Sequence, residues 1–459
     1  MMLLLLILPM LSLSQPVVHY CHDTIHFEGT NEFDMVPLCA HSCTVIPSAG
    51  RHCTVTIDAT FANGTTLADA TMQVNLVHLY GSAYEMGMAA GKLQPNAVRS
   101  FYRETWSYLQ SQVTSIEFLR SLPTWLADAI ADLGLDAALD ATYAASRYYT
   151  ASHFYEEMQG LADASGVEYM EIVRLHMLAG LTQGKCSMFG AWGDATADGN
   201  TVQLRALDWD MNGPFRNYPQ LTVYHPTEGN AFLTVGFTGF VGGLTGLSSA
   251  LLGISEIGVS FPDATFGSES RLGLPFIYLL RDILQFDTTL DDALDRMRTV
   301  RRTCDLILGV GNASTFRGVE YSYATLDVFD DTNMRPKNDT WHPPIDNVVY
   351  WGMDWLCPAY SSMLATGLSH YHGKITGETA ARYISAPQHS GTNHVALYNL
   401  GSREVWISFG APTSVGGPPN AYARPYLYIA DVAAELFNVS PPTSDLDTSM
   451  PTSPCTNKQ

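Results

Sequence analysis

The feature that most restricts what this chain folds into is a change of hydrophobic period at Cys186. Before it, from Tyr84 to about Leu181, apolar residues recur at helical spacing: Met86, Met88, Ala89, Leu93 and Val98, then Phe101, Trp106 and Leu109. Further amphipathic stretches cover 121–133, 137–149 and 153–164. Their aromatic residues Tyr148, Tyr149, Phe154 and Tyr155 read as core, with pocket lining as the alternative. After Cys186 the texture is that of short strands, at 202–207, 221–224, 231–235 and 251–255, set apart by Gly, Pro and Asn. One helix is predicted over 288–299, with Asp291 and Asp292 in its first turn and basic residues at its end. Strands return at 305–310, 320–328, 348–351, 394–399 and 404–409. The chain therefore reads as α+β, a helical N-terminal half feeding a strand-rich C-terminal half.

The ends carry different signals. Residues 2–13 are almost wholly apolar, and Ser12 and Ser14 offer a cleavage point. The run is too short to span a bilayer and reads as a signal peptide over 1–14, although it lacks a positive n-region. A cysteine-rich, strand-leaning lead segment follows over 15–75, then the helical region 76–185 and the strand-rich region 186–440. Residues 441–459 are rich in Pro, Ser and Thr and are expected to be a disordered tail. No later run is long and apolar enough to predict a transmembrane segment. The sequons at Asn63, Asn312, Asn338 and Asn438 agree with a secreted or lysosomal glycoprotein. Cys21, Cys39, Cys43 and Cys53 cluster near the start and are expected to form two disulfides, with a zinc site as the alternative. A net charge of −21 without any basic run excludes nucleic acid as a partner, because phosphate contacts need clustered Lys and Arg.

The segment from Gly184 to Asp210 reads as strand, turn at Asp198-Gly199-Asn200, and returning strand, which brings Arg205 and Asp208 back towards Cys186. An arginine stabilises a thiolate, and a carboxylate holds an α-amine by charge-assisted hydrogen bonding. A cysteine made N-terminal by cleavage between Lys185 and Cys186 would carry its own base. Its α-amine titrates near ~8, close enough to neutrality to take the thiol proton. Taken alone, Cys186 reads as a buried or disulfide-bonded residue, and Arg205 with Asp208 as a cross-strand ion pair.

Cys186 followed by the Arg205-x-x-Asp208 pair resembles the N-terminal nucleophile hydrolases, in particular the penicillin acyltransferase-like family, with acid ceramidase and the bile-salt hydrolases more distant. The stretch from Leu79 to Gly91, with Gly81-Ser82-x-Tyr84-Glu85-x-Gly87, is similar to that family's opening pattern. Residues 240–259 look like its Gly-rich pair of strands. The resemblance implies an αββα sandwich and self-cleavage before Cys186. It implies Cys186 as nucleophile, Arg205 as the group that orients and polarises, and Asp208 as the holder of the amine. It also implies that the two fragments of the precursor stay associated, with no cofactor or metal. The expected activity is hydrolysis, or acyl transfer, of a non-peptide and lipid-like N-acyl amide. Relatives use a late Asn for the oxyanion; here Asp354 stands in the matching region and Asn393 lies further on, with a backbone N–H as a third choice. Glu85 reads as a structural partner for backbone or for an arginine rather than as an acid catalyst. The competing readings are a non-catalytic secreted glycoprotein with the same fold, and a peptidase acting on proteins.

Overall fold

The computed structural model describes residues 29–40, 43–113, 115, 122, 124–179 and 185–450. The expected signal peptide, Cys21 and residues 451–459 lie outside these residues. Among the described residues, six helices precede the nucleophile candidate: α1 (Ala83–Leu93), α2 (Pro95–Gln112), α3 (Thr124–Leu133), α4 (Leu135–Ser146), α5 (Ser152–Ser165) and α6 (Tyr169–Ala179). Ser82 caps α1 in a capping box closed by Glu85, so that glutamate is structural, as read from sequence. Tyr148 and Tyr149 are not core: they are exposed at 77% and 39%, beyond the C-terminus of α4, whereas Phe154 is fully buried.

Two sheets stack at the centre. The larger runs in the order β13-β12-β11-β10-β9-β8-β7-β4-β3-β2. Its strands are β2 (Cys43–Ile46), β3 (Gly50–Ile57), β4 (Met72–Gly81), β7 (Pro219–Pro226), β8 (Phe232–Phe237), β9 (Gly246–Ser248), β10 (Gly253–Gly258), β11 (Leu306–Gly311), β12 (Phe316–Tyr321) and β13 (Leu326–Phe329). The smaller runs β1-β17-β16-β15-β6-β5-β14. It contains β1 (Val36–Pro37), β5 (Lys185–Ala191), β6 (Val202–Asp208), β14 (Val348–Met353), β15 (His394–Asn399), β16 (Glu404–Phe409) and β17 (Leu427–Ile429). The sheets approach so closely that a Cβ on Gly190 of β5 would lie 2.0 Å from Phe316 of β12, and one on Gly318 2.3 Å from Trp351. Glycine is needed at both places for space.

Helices cover both outer faces. α1, α7 (Phe276–Phe286) and α8 (Leu290–Thr299) pack on the larger sheet, and α9 (Pro358–His370) with the helical residues 377–388 on the smaller. The layers are helix, sheet, sheet, helix, the expected αββα sandwich. Because both sheets are covered, β6 is buried at every position and reads as an apolar run broken by Gln203, Arg205 and Asp208.

Several details differ from the sequence reading. The expected strand 320–328 is two strands, joined by a turn in which Ser322 N–H donates to the Thr325 carbonyl. Helices α7 and α9 were not foreseen; α7 carries Arg281, Asp282 and Gln285 on one side, but that side is buried too, so the helix is covered from Phe276 to Gln285. The lead segment is not separate: β2, β3 and β4 extend the larger sheet, and β1 joins the smaller. Cys43 and Cys53, opposite each other on β2 and β3, form a disulfide, and Cys39 and Cys357 each take part in a disulfide of their own. A zinc site at this cluster is thereby excluded. The first part of the expected tail is docked: Cys43 N–H donates to the Thr448 carbonyl, Ser48 N–H to that of Pro442, and the Arg51 guanidinium to that of Ser449. Asn63 and Asn438 are exposed, and Asn312 and Asn338 are half-buried. Among the described residues, no helix is long and apolar enough to cross a membrane.

Candidate active site

The hairpin read from sequence is present. β5 and β6 pair antiparallel, with Lys185 opposite Asp208, Cys186 opposite Leu207 and Met188 opposite Arg205. The turn is held by Asp198, whose carboxylate accepts from the Asn200 N–H at 3.0 Å and from the Asn399 side chain at 2.8 Å. Side chains alternate across a strand, so Cys186 and Arg205 share one face and Asp208 takes the other. The contacts agree. Arg205 points between the sheets, where its Nη2 donates to Glu256 Oε2 of β10 at 2.6 Å. Asp208 points to the helical layer, where Oδ1 accepts from the Gly391 and Thr392 N–H groups at 2.9 Å each and Oδ2 from the Ser390 hydroxyl. The sequence reading had both partners facing the cysteine. The structure divides them: Arg205 lies on the thiol's side, while Asp208 flanks the Lys185–Cys186 junction through the strand register.

Glu256 is the residue that sequence reasoning missed. It is 51 residues from Arg205 along the chain and on the opposite sheet, so no local pattern connects them. Both are buried, with 0% and 4% of their side chains exposed. Removing either would strand a buried charge, an effect worth ~3–5 kcal/mol. Arg205 Nε and Nη1 have no hydrogen-bond partner among the described residues.

Cys186 is a buried thiol outside any disulfide. Burial pushes it up to about 12; Arg205 pulls it down, and the Glu256 and Asp208 carboxylates add to the rise. Burial likewise raises the Asp208 carboxyl to about 6, against the pull of its Ser390, Thr392 and Gly391 donors and of Arg205. In the uncut chain the thiol is therefore protonated at every physiological pH.

Cys186, Arg205 and Glu256 are the ionisable groups of a narrow cleft of about 60 Å³ whose other walls are almost entirely apolar. Phe101 and Leu109 of α2, Leu175 and Leu178 of α6, Trp209, Phe215, Phe237, Phe240 and Phe276 supply them. This is the lining of a small-molecule site, apolar walls with a few convergent polar groups. Sequence periodicity had no means of assembling it, because the walls come from segments more than 100 residues apart.

The two oxyanion candidates do not reach the thiol as donors. Asp354 follows Met353, which pairs with Cys186, but its oxygens accept the N–H groups of Ser260 at 2.9 Å and Trp355 at 2.6 Å. Asn393 precedes His394, whose register partner is Leu207, so the Asn393 side chain lies on the face away from Cys186 and donates to the Trp209 carbonyl at 3.2 Å. Among the described residues, no cluster of His, Cys, Asp and Glu could hold a metal ion.

The chain is 35% identical to protein dcd1A of Dictyostelium discoideum over 378 residues, spanning 78% of this chain and 84% of that one. It is 33% identical to protein dcd1B of the same organism over 391 residues, 82% of this chain and 77% of that one. Among solved structures, an N-acylethanolamine-hydrolyzing acid amidase orthologue of Caenorhabditis elegans is similar at 13% identity over 47% of this chain and 93% of its own, with a TM-score of 0.36. A likeness that slight bears on neither fold nor activity. No protein-family model matches the sequence.

Proposed function

This chain belongs to the family of the Dictyostelium proteins dcd1A and dcd1B, and from its site we propose a secreted or lysosomal cysteine amidase of the N-terminal nucleophile type. It cuts itself between Lys185 and Cys186 and then acts on a lipid-like N-acyl amide. The observation that carries this reading is a buried thiol, with an arginine and its carboxylate partner, forming the ionisable part of an otherwise apolar cleft.

In maturation the Cys186 sulfur attacks the Lys185 carbonyl carbon, the peptide C–N bond breaks as the thiol proton passes to the departing Cys186 nitrogen, and water hydrolyses the resulting thioester. Lys185 leaves as a carboxylate and Cys186 keeps a free amine. The register of Lys185 with Asp208 supports a place for that amine beside the Asp208 carboxylate. A new positive charge there favours the ionised carboxylate and offsets the burial that raises it in the uncut chain.

In turnover the amine takes the thiol proton, the sulfur attacks the amide carbonyl, and the proton passes to the departing amine. Water, or another acceptor, then takes the acyl group from sulfur. Arg205 lowers the cost of the thiolate. Its unpartnered Nε and Nη1 on the thiol's face are the donors best suited to the oxyanion, given that Asp354 and Asn393 are engaged elsewhere. Glu256 holds the guanidinium in place. The acyl chain fills the aromatic cleft.

The test is Cys186→Ala beside the wild type. The variant is expected to fold, stay uncut and hydrolyse no N-acyl amide. Full activity in the variant would dismiss the proposed nucleophile.

A further inference from the structure

Directly across from Cys186, at the end of β14, stands Met353, and its backbone departs from the strand. Trp351, two residues earlier, points between the sheets onto Gly318, whereas Gly352 faces α9, where a Cβ would lie 2.4 Å from the Tyr360 carbonyl carbon. Alternation would therefore send the Met353 side chain between the sheets, onto the thiol's face, with its Cβ about 4.5–5.5 Å from that of Cys186. It does not go there. Met353 adopts φ +66°, a left-handed backbone that L side chains rarely take, and packs with Cys357, Ala359 and Tyr360 at the start of α9. It is not among the described residues that line the cleft.

Such a conformation persists only where its surroundings impose it. Asp354 N–H donates back to the Gly352 carbonyl at 2.8 Å, closing a γ-turn of the strained form with Met353 at its centre. Met353 N–H donates to Ser187 Oγ at 3.1 Å, and the Gln388 amide donates to the same oxygen at 2.7 Å. Gly352 N–H donates to Ser361 Oγ at 3.2 Å, and the Asp354 carboxylate accepts from the Ser260 and Trp355 N–H groups. Ser187 and Gln388 are fully buried. Ser187 lies on the helical face of β5, away from the cleft, so its hydroxyl serves the turn and not the chemistry.

We propose that the Met353 turn, bracketed by Ser187 and Gln388, is the device that leaves the Cys186 sulfur open to the cleft. If Met353 relaxes to extended backbone, its side chain closes over the thiol from β14. Met353, Ser187 and Gln388 are positioning residues: they govern access to Cys186. The geometry stands without the amidase reading above and rests on it only for its consequence, the approach of an amide carbonyl to the sulfur.

The experiment treats the folded, purified protein with methyl methanethiosulfonate, a small reagent that transfers a methylthio group to a thiolate and releases methanesulfinate. The label on the Cys186 peptide is followed by mass. Ser187→Ala is expected to label about tenfold more slowly or slower still, because the fraction of molecules with an open sulfur falls by that factor. Adding Met353→Gly is expected to restore the wild-type rate, since glycine accepts the left-handed backbone and has no side chain to cover the sulfur. A merely structural Ser187 would give no such rescue. Should Ser187→Ala fail to fold, Gln388→Met, which removes the bracketing donor at similar length, takes its place with the same two expectations. A folded Ser187→Ala that labels like the wild type overturns the proposal. So does a slow one that Met353→Gly leaves slow, or a wild type whose Cys186 takes no label. The expected labelling pattern in a protein that cleaves no N-acyl amide dismisses the amidase reading alone and leaves the role of the turn standing.

Discussion

At the scale of single residues, the proposed chemistry rests on one end of the β5–β6 hairpin. Asp208 is the clearest case of a side chain whose task depends on charge. Asp208→Asn keeps an oxygen for the Gly391 and Thr392 amides but cannot balance an ammonium at Cys186. We expect it to lose activity by on the order of 10²-fold or more while remaining folded, read as kcat of whatever fraction matures. Activity near the wild-type level would remove Asp208 from the site. Cys186, Arg205 and Asp208 were legible because they lie on one hairpin, where a strand, a turn at Asp198 and a returning strand suffice to bring them together. Glu256 was not, since its partnership with Arg205 spans two sheets. The oxyanion donor was not legible either: Asp354 and Asn393 stand near the thiol in sequence pattern, and only side-chain direction removes them.

At the scale of elements, the strand runs and the acidic first turn of α8 were readable and apolar helices were not. Asp291 and Asp292 lie in the first turn of α8 as read, and capping boxes close that helix at Thr289–Asp292 and α1 at Ser82–Glu85. The Gly87 of the opening motif owes its place to helix packing: a Cβ there would lie 2.0 Å from the Glu157 carbonyl of α5. Gly87→Ala should therefore destabilise by about 1–3 kcal/mol, because a backbone atom cannot step aside as a side chain would. An unchanged thermal midpoint would show that α1 and α5 are not packed this way. Helix α6 yields a pH prediction. His176 titrates near 6.5 when unfolded and about 4 when folded, so the unfolded chain takes up the proton first as pH falls. Its contribution is fully present above 6.5 and is lost on the way down to about 4, worth about 3 kcal/mol in all. His176→Gln should flatten the loss of thermal stability on acidification. Burial lowers His78, His225 and His394 in the same sense, so part of the slope will persist. A variant as acid-sensitive as the wild type would contradict a neutral His176 that accepts the Val241 N–H.

At the scale of the whole molecule, a cut before Cys186 divides the sequence but not the fold. The larger sheet takes β2, β3 and β4 from before the cut, and β4 pairs in parallel with β7 from after it. The Glu157–Arg281 pair and the His176–Val241 bond cross the same boundary. The two pieces should therefore co-elute in one particle and separate only on denaturation. The measurement that tests the account most directly is N-terminal sequencing with intact mass of the purified protein after exposure to lysosome-like acidity. Two fragments, one beginning at Cys186 and absent from Cys186→Ala, are the predicted result. A single uncut chain that stays folded throughout would contradict the account and favour a non-catalytic glycoprotein built on the same sandwich.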